Sequence, residues 1–342
     1  MLAIGVSSGD RVASDDKRSL EGQLLADRYQ LVRLMGSGGM GEVYRAKQIS
    51  TGGRVAIKVM DASNRDAASL NRFRYEAETT ARLSHPNTVR ILDFGADKGF
   101  LFLVMEYLQG ADLTRFLRSD GQSNAFVAHL LYQVACSLAE AHARGLVHRD
   151  IKPNNIMIIH HPGLPSFIKV IDFGIARAVG GPGHGTVGIL GTIGYIAPET
   201  TQRGVRPDAR SDLYSLGCVA YELLAGRLPF DGILHRSPPM EILEAHVAGR
   251  PTPLEEVRPD ADPELVQLIM DLIKREPSDR PASAGELIEP LGKIRARLAE
   301  EVGMPADFPE PLDRDAVTQS PHSLVGKDED GTLVMQVDDA YF

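Results

Sequence analysis

The chain has 342 residues, 43% hydrophobic and 24% charged, an ordinary globular balance that excludes global disorder and collagen-like repeats. Its net charge of −9 resides entirely in residues 300–342, where eleven acids face two bases, so the neutral body offers no basic field to nucleic acid or an anionic membrane. The longest apolar run, Phe100 to Met105, is far short of a membrane span, Met1 to Asp10 lacks the parts of a secretory signal, and Cys136 and Cys218 fit neither a disulfide framework nor zinc spacing. A reduced, soluble, cytoplasmic protein is expected.

Residues 1–26 mix Ser, Gly, Asp and Lys without periodicity and are expected to form a flexible leader. Strands are expected at Tyr29 to Met35, Glu42 to Lys47 and Arg54 to Met60, then a helix from Ala67 to Leu83 that stops before Ser84-His85-Pro86. Two more strands follow, Thr88 to Gly95 and Phe100 to Glu106. After Gln109-Gly110 the pattern turns helical: Phe126 to Arg144, then Asp212 to Leu224, apolar nearly all round as a buried helix should be, then Leu265 to Lys274 and Ala284 to Leu298. His160 and His161 are placed in an exposed turn with Pro162, Gly163 and Pro165, which is a simpler account than a metal site.

Gly36-Ser37-Gly38-Gly39-Met40-Gly41 fits G-x-G-x-x-G, a weak signal alone because dinucleotide-binding folds use it between a strand and a helix. Here a strand follows, so a strand–loop–strand cover over nucleotide phosphates fits better; a functionless glycine hairpin is the alternative. Lys58, in Val55-Ala56-Ile57-Lys58, is a cation among apolar neighbours and needs a partner, which Glu76 on the following helix can supply. The alternative for Lys58 is a surface lysine on an alternating strand. His148-Arg149-Asp150-Ile151-Lys152-Pro153-Asn154-Asn155 is the most specific segment, with Asp150 and Asn155 fitting H-R-D-x-x-x-x-N, and Asp172-Phe173-Gly174 follows the strand Ile168 to Ile171. Asp172 and Asn155 are hard oxygen ligands suited to Mg²⁺.

With Ala197-Pro198-Glu199, five motifs stand in one order, and from about residue 29 to about residue 298 the chain resembles a protein kinase of the eukaryotic-like serine/threonine type found in bacteria. The resemblance implies an α+β, two-lobed protein-kinase-like fold: a small β-sheet lobe with one main helix over about 27–107, and a larger, mostly helical lobe over about 108–298. Residues 299–342 then remain as an acidic, disordered tail. The implied activity is transfer of the γ-phosphate of ATP, with Mg²⁺ (or Mn²⁺ in its place), to Ser or Thr hydroxyls of proteins. Asp150 would accept the hydroxyl proton, Lys152 would contact the γ-phosphate, and Lys58, positioned by Glu76, would hold the other phosphates. Asn155 and Asp172 would hold the metal.

The same resemblance places Met35 and Val43 over the adenine with Ala56 beside them, Met157 beneath it, Met105 as gatekeeper, the backbone of Glu106 and Leu108 as hinge, and Asp112 at the ribose. Asp212 would hydrogen-bond the catalytic-loop backbone, and Glu199 with Arg280 would form a buried ion pair. Arg149 marks kinases switched by a phosphate in the segment Asp172 to Glu199, where Thr186 is the best autophosphorylation site and Thr192 shapes the substrate groove. A transient homodimer is compatible with the family, although no residue points to an interface. The tail's apolar islands, Thr332 to Val337 and Tyr341-Phe342, suit a docking motif or an inhibitory segment; disorder without a role is the plainer alternative. The alternative to catalysis is an ATP-binding pseudokinase scaffold, which would require a broken Lys58, Asp150, Asn155 or Asp172; all four are intact.

Overall fold

The structure, a computed structural model, describes residues 20–38, 41–63, 66–161, 164–174, 193–202, 204–302, 324–327 and 333–336. Gly39, Met40, Pro162, Gly163, Thr186 and Thr192 lie outside the described residues, as do residues 1–19.

Six strands form one antiparallel sheet in the order β1-β2-β3-β4-β6-β5: β1 (Leu24–Leu25), β2 (Tyr29–Gly38), β3 (Gly41–Gln48), β4 (Arg54–Asp61), β5 (Ile91–Asp97) and β6 (Phe100–Glu106). Alternation along β4 sorts its side chains. Val55, Ile57 and Val59 join Tyr44, Phe102 and Val104 in one apolar layer, whereas Ala56 and Met60 join Leu103, Met105, Phe73 and Ala77 in another. Lys58 shares the parity of Ala56 and Met60, which points it to the second layer's side, toward the rest of the molecule. Phe73 and Ala77 come from α1 (Ala67–Ala81), whose first turn is capped by Asp66 accepting from the Ser69 N–H at 2.8 Å.

The second lobe is built on α2 (Asn124–Ala143) and α3 (Ala209–Ala225). Fourteen of the seventeen residues of α3 are buried, so it is the central post around which the other helices pack. A three-stranded sheet, β7 (Gly110–Asp112), β8 (Ile156–His161) and β9 (Leu164–Val170), covers the face toward the first lobe. The helices α4 (Pro239–Ala248), α5 (Leu254–Val257), α6 (Pro263–Leu272) and α7 (Gly285–Val302) complete the lobe, and β10 (Leu324–Lys327) pairs with β11 (Leu333–Gln336) beyond it.

Several expectations need correction. The leader is not irregular to residue 26, because Leu24 and Leu25 pair with Gln30 and Tyr29. His160 and His161 end strand β8 rather than sitting in a turn. The tail expected from residue 299 is helical to Val302 and contains a hairpin. Two helices escaped notice: α4 buries only Ile242 and His246, too narrow a stripe to register as a period, and α5 is a single turn.

Candidate active site

The glycine segment joins β2 to β3 as strand–loop–strand, with Gly36 opposite Val43 and Gly38 opposite Gly41. Gly41 has φ 120°, and a Cβ there would stand 2.3 Å from the Val59 carbonyl oxygen, so the loop's return into β3 admits only glycine. Val43 faces Lys58 across the β3–β4 ladder. Beneath the sheet, Met35, Ala56, Met105 and Leu108 contribute to one apolar cluster, and Met157 on β8 is 7% exposed, opposite Asp112 of β7. Glu106 ends β6; its backbone N–H donates to the Arg90 carbonyl at 3.0 Å and its carboxylate accepts from Lys169 Nζ at 2.6 Å. Asp112 is buried and caps the turn Leu113–Phe116 by accepting from the Thr114 N–H, and burial pushes its carboxyl pKa up.

The catalytic-loop candidates converge. Asn155 Nδ2 donates to Asp150 twice, to its backbone carbonyl at 2.7 Å and its carboxylate at 2.9 Å. Lys152 Nζ lies 3.2 Å from the same carboxylate. His148 ties this loop to the strand leading into Asp172. Its Nδ1 accepts from the Asp150 N–H and its Nε2 donates to the Ile171 carbonyl at 2.9 Å, which requires the neutral ring that complete burial favours. Phe173 packs on the His148 ring at 4.5 Å between centroids. Arg149 (φ 66°) and Asp172 (φ 64°) both occupy the left-handed region, strain held by this surrounding network. Asp212, 1% exposed, accepts from the His148 and Arg149 backbone N–H groups at 2.7 Å each and meets His142 Nε2 at 2.9 Å.

The charge pairing across the cleft differs from expectation. Lys58 donates to both carboxylate oxygens of Asp172, at 2.8 and 2.7 Å, not to Glu76. Glu76 instead meets Arg149 Nη1 at 3.4 Å, and burial raises its pKa while Arg149 and Arg72 pull the other way. The buried ammonium therefore has its required counter-charge, from the partner that the second lobe supplies. The donor set suits a hard cation: Asp172 is a carboxylate one-third exposed to the cleft, and the Asn155 amide nitrogen is committed to Asp150, so its carbonyl oxygen is the atom that could face a cation.

Beyond these, a polar cluster that the sequence analysis missed holds the segment Ile193–Tyr195. Tyr195 donates to Glu222 at 2.6 Å, His235 meets the same carboxylate at 2.5 Å, and Tyr214 and His246 pair at 2.8 Å. Glu222 within the apolar run Tyr221-Glu222-Leu223-Leu224 was the available signal, since a charge buried in a helix core needs partners. Glu199 and Arg280 form the expected pair, doubly bonded at 2.9 and 3.0 Å.

Comparison with known proteins bears on the family and the fold. The sequence profile of the protein kinase domain matches residues 29–290. The chain is 39% identical over 290 residues to the serine/threonine-protein kinase pkn3 of Myxococcus xanthus, covering 81% of this chain and 52% of that protein. It is 39% identical over 288 residues to the serine/threonine-protein kinase PknB of Mycolicibacterium smegmatis, covering 82% and 45%. The chain thus spans about half the length of the curated relatives it matches. The kinase domain of Mycobacterium tuberculosis PknI superposes with a TM-score of 0.61 at 28% identity, covering 80% of this chain and 98% of that one. The motif order, the two-lobed fold and these matches together make the chain a member of the protein kinase family.

Proposed function

We propose that the protein transfers the γ-phosphoryl group of Mg²⁺-ATP to Ser and Thr hydroxyls of proteins. The observation that carries this reading is the clustering of Lys152 and Asn155 on the Asp150 carboxylate, with Lys58 and Asp172 across the cleft. In the reaction Asp150 takes the proton as the acceptor oxygen bonds to phosphorus and the bond to the leaving diphosphate breaks. Lys152 offsets charge on the moving phosphoryl group, and Lys58 exchanges Asp172 for nucleotide phosphates. Asp172 and Asn155 would hold a divalent ion, which would supply charge neutralisation to the phosphate oxygens. The glycine segment, Gly36 to Gly41 with Ser37, Gly38, Gly39 and Met40, covers the phosphates. Met35, Val43, Ala56, Met105 and Met157 enclose the base, the Glu106 and Leu108 backbone reads its edge, and Asp112 serves the ribose.

Incubation with Mg²⁺-ATP and a generic Ser/Thr-rich acceptor should yield phosphoprotein. Asp150→Asn should lower turnover by about 10²- to 10⁴-fold while nucleotide still binds. A parent protein that binds ATP and phosphorylates nothing would instead favour a scaffold. Autophosphorylation belongs to the same reading, at Thr186 with Thr192 shaping the groove: one added phosphate on Thr186 is expected by mass spectrometry, and full activity of Thr186→Ala refutes its role. A cytoplasmic location, a transient homodimer and a separate docking partner for the acidic tail are further parts of the proposal, to be tested by fractionation, sedimentation and partner recovery.

A further inference from the structure

Glu222 is a carboxylate buried in α3, and both of its oxygens are engaged. The Tyr195 hydroxyl donates to Oε2 at 2.6 Å, and His235 Nε2 lies 2.5 Å from Oε1. Among the described residues His235 is the only cationic side chain within 4 Å of this carboxylate. The Glu222 side chain is 6% exposed and that of His235 34%, so the pair runs from the core of α3 to the surface. His235 also lies over the segment that Tyr195 anchors. Its ring centre is 5.9 Å from that of Tyr195, and a Cβ on Gly194 would stand 3.5 Å from its Nδ1. Ser215 donates to the Tyr195 carbonyl at 2.7 Å, a second tie between this segment and α3.

The surrounding groups keep one charge state near neutrality. Burial and the adjacent Glu222 push the Tyr195 phenol well up, and burial pushes the Cys218 thiol of α3 up, so both stay neutral. His246 of α4 is pushed down to about 4 by burial and pairs with Tyr214. On the stretch between α3 and α4, Arg227 is paired with Asp231 at 3.0 Å and Arg236 is exposed. His235 behaves differently. Burial lowers its pKa, but the hydrogen bond and charge of Glu222 outweigh burial and hold it above 6.5. His235 is therefore the group beside this segment whose charge changes near neutrality.

We propose that His235 is a positioning residue of the acceptor site: in its charged form it fixes Glu222, Glu222 fixes Tyr195, and the segment Ile193–Tyr195 then presents a formed surface to the protein acceptor. The proposal rests on the reading above in which Thr192 shapes the acceptor groove, since Ile193 directly follows Thr192. A neutral His235 ring leaves a buried carboxylate without its counter-charge. The formed surface is therefore favoured at low pH and given up as pH rises through the raised pKa. Apparent acceptor affinity falls with the fraction of molecules in which the surface is formed. Nucleotide binding draws on other residues and is unchanged.

The test uses the full chain and a Ser/Thr peptide acceptor that lacks His and Cys. Between about pH 6.5 and about pH 8.5 the parent's acceptor KM should rise about three- to tenfold, while its ATP KM stays within about twofold. His235→Gln keeps an N–H for Glu222 but carries no charge, and should hold acceptor KM at the high value throughout. His235→Lys stays charged to about pH 10 and should hold it at the low value. A packing role alone would make lysine no better than glutamine. A glutamine variant with the parent's pH profile, a lysine variant no tighter than glutamine, or an ATP KM that moves in parallel overturns the role of His235. If the parent transfers no phosphate, the acceptor reading falls and this role with it; if it transfers phosphate with an acceptor KM independent of pH, only the role of His235 falls.

Discussion

Removing the carboxylate of Glu199 gives a sharp test of how the second lobe is held together. The Arg280 side chain is fully buried. Its guanidinium donates to both Glu199 oxygens, and also to the carbonyls of Lys274 at 2.6 Å, Arg275 at 2.7 Å and Arg210 at 3.0 Å, while stacking 4.7 Å over the Tyr214 ring. Glu199→Ala leaves this cation in place with three carbonyl dipoles but no counter-charge. Stranding one partner of a buried pair costs about 3–5 kcal/mol. Glu199→Gln keeps one oxygen acceptor and should cost about half of that. With a urea m-value of about 3 kcal/mol/M for a protein of this size, the alanine variant's midpoint should fall by about 1–1.7 M. Equilibrium urea denaturation followed by circular dichroism reads this directly. Arg280→Met combined with Glu199→Ala should cost less than the sum of the single variants, because the second change removes the orphan charge. An alanine variant within about 1 kcal/mol of the parent, or strictly additive singles, would refute the argument.

Three further outcomes follow from individual contacts. Lys58→Met should cut phosphotransfer by at least about 100-fold, measured by radiolabel incorporation, while the urea midpoint stays near the parent's, since methionine fills the same space without requiring Asp172. His246, between Tyr214 and the Gly194 backbone, is pushed down to about 4 by burial from 6.5, so the unfolded chain binds the extra proton first. Stability should therefore fall as pH drops from 6.5 toward 4, by up to about 3 kcal/mol from this group, and His246→Gln should flatten that part of a urea-titration pH profile. Gly41→Ala must relieve a contact at the Val59 carbonyl as well as an unfavourable φ, at a local cost of about 1–3 kcal/mol, and should weaken nucleotide binding measured by analogue fluorescence.

Much of this was readable before any coordinates because the signals were local. β6 spans Phe100–Glu106 as its apolar run indicates, and α3 announces itself by being apolar on every side. The loop His148 to Asn155 is legible because five residues of fixed chemistry, His148, Arg149, Asp150, Lys152 and Asn155, stand within eight positions. The partner of Lys58 was not legible: Glu76 and Asp172 are both in reach in principle, and the choice depends on how α1 and the second lobe sit, a long-range property no spacing encodes. The cluster of Tyr195, Glu222 and His235 was hidden for a similar reason, since its members come from three separated segments. The hairpin was half visible, as an apolar island among acids, but its pairing and its place beside β2 and β7 are tertiary facts.

The bond between Lys58 and Asp172 also bears on the search for inhibitors. A compound entering the cleft in this arrangement meets a neutralised ion pair rather than a bare ammonium. Scaffolds bearing phosphate surrogates have to prise that pair apart, whereas uncharged heterocycles leave it intact. Library screens run on the resting protein will therefore enrich neutral chemotypes, and the anionic ones will emerge only from screens on a form in which the lysine has already changed partner.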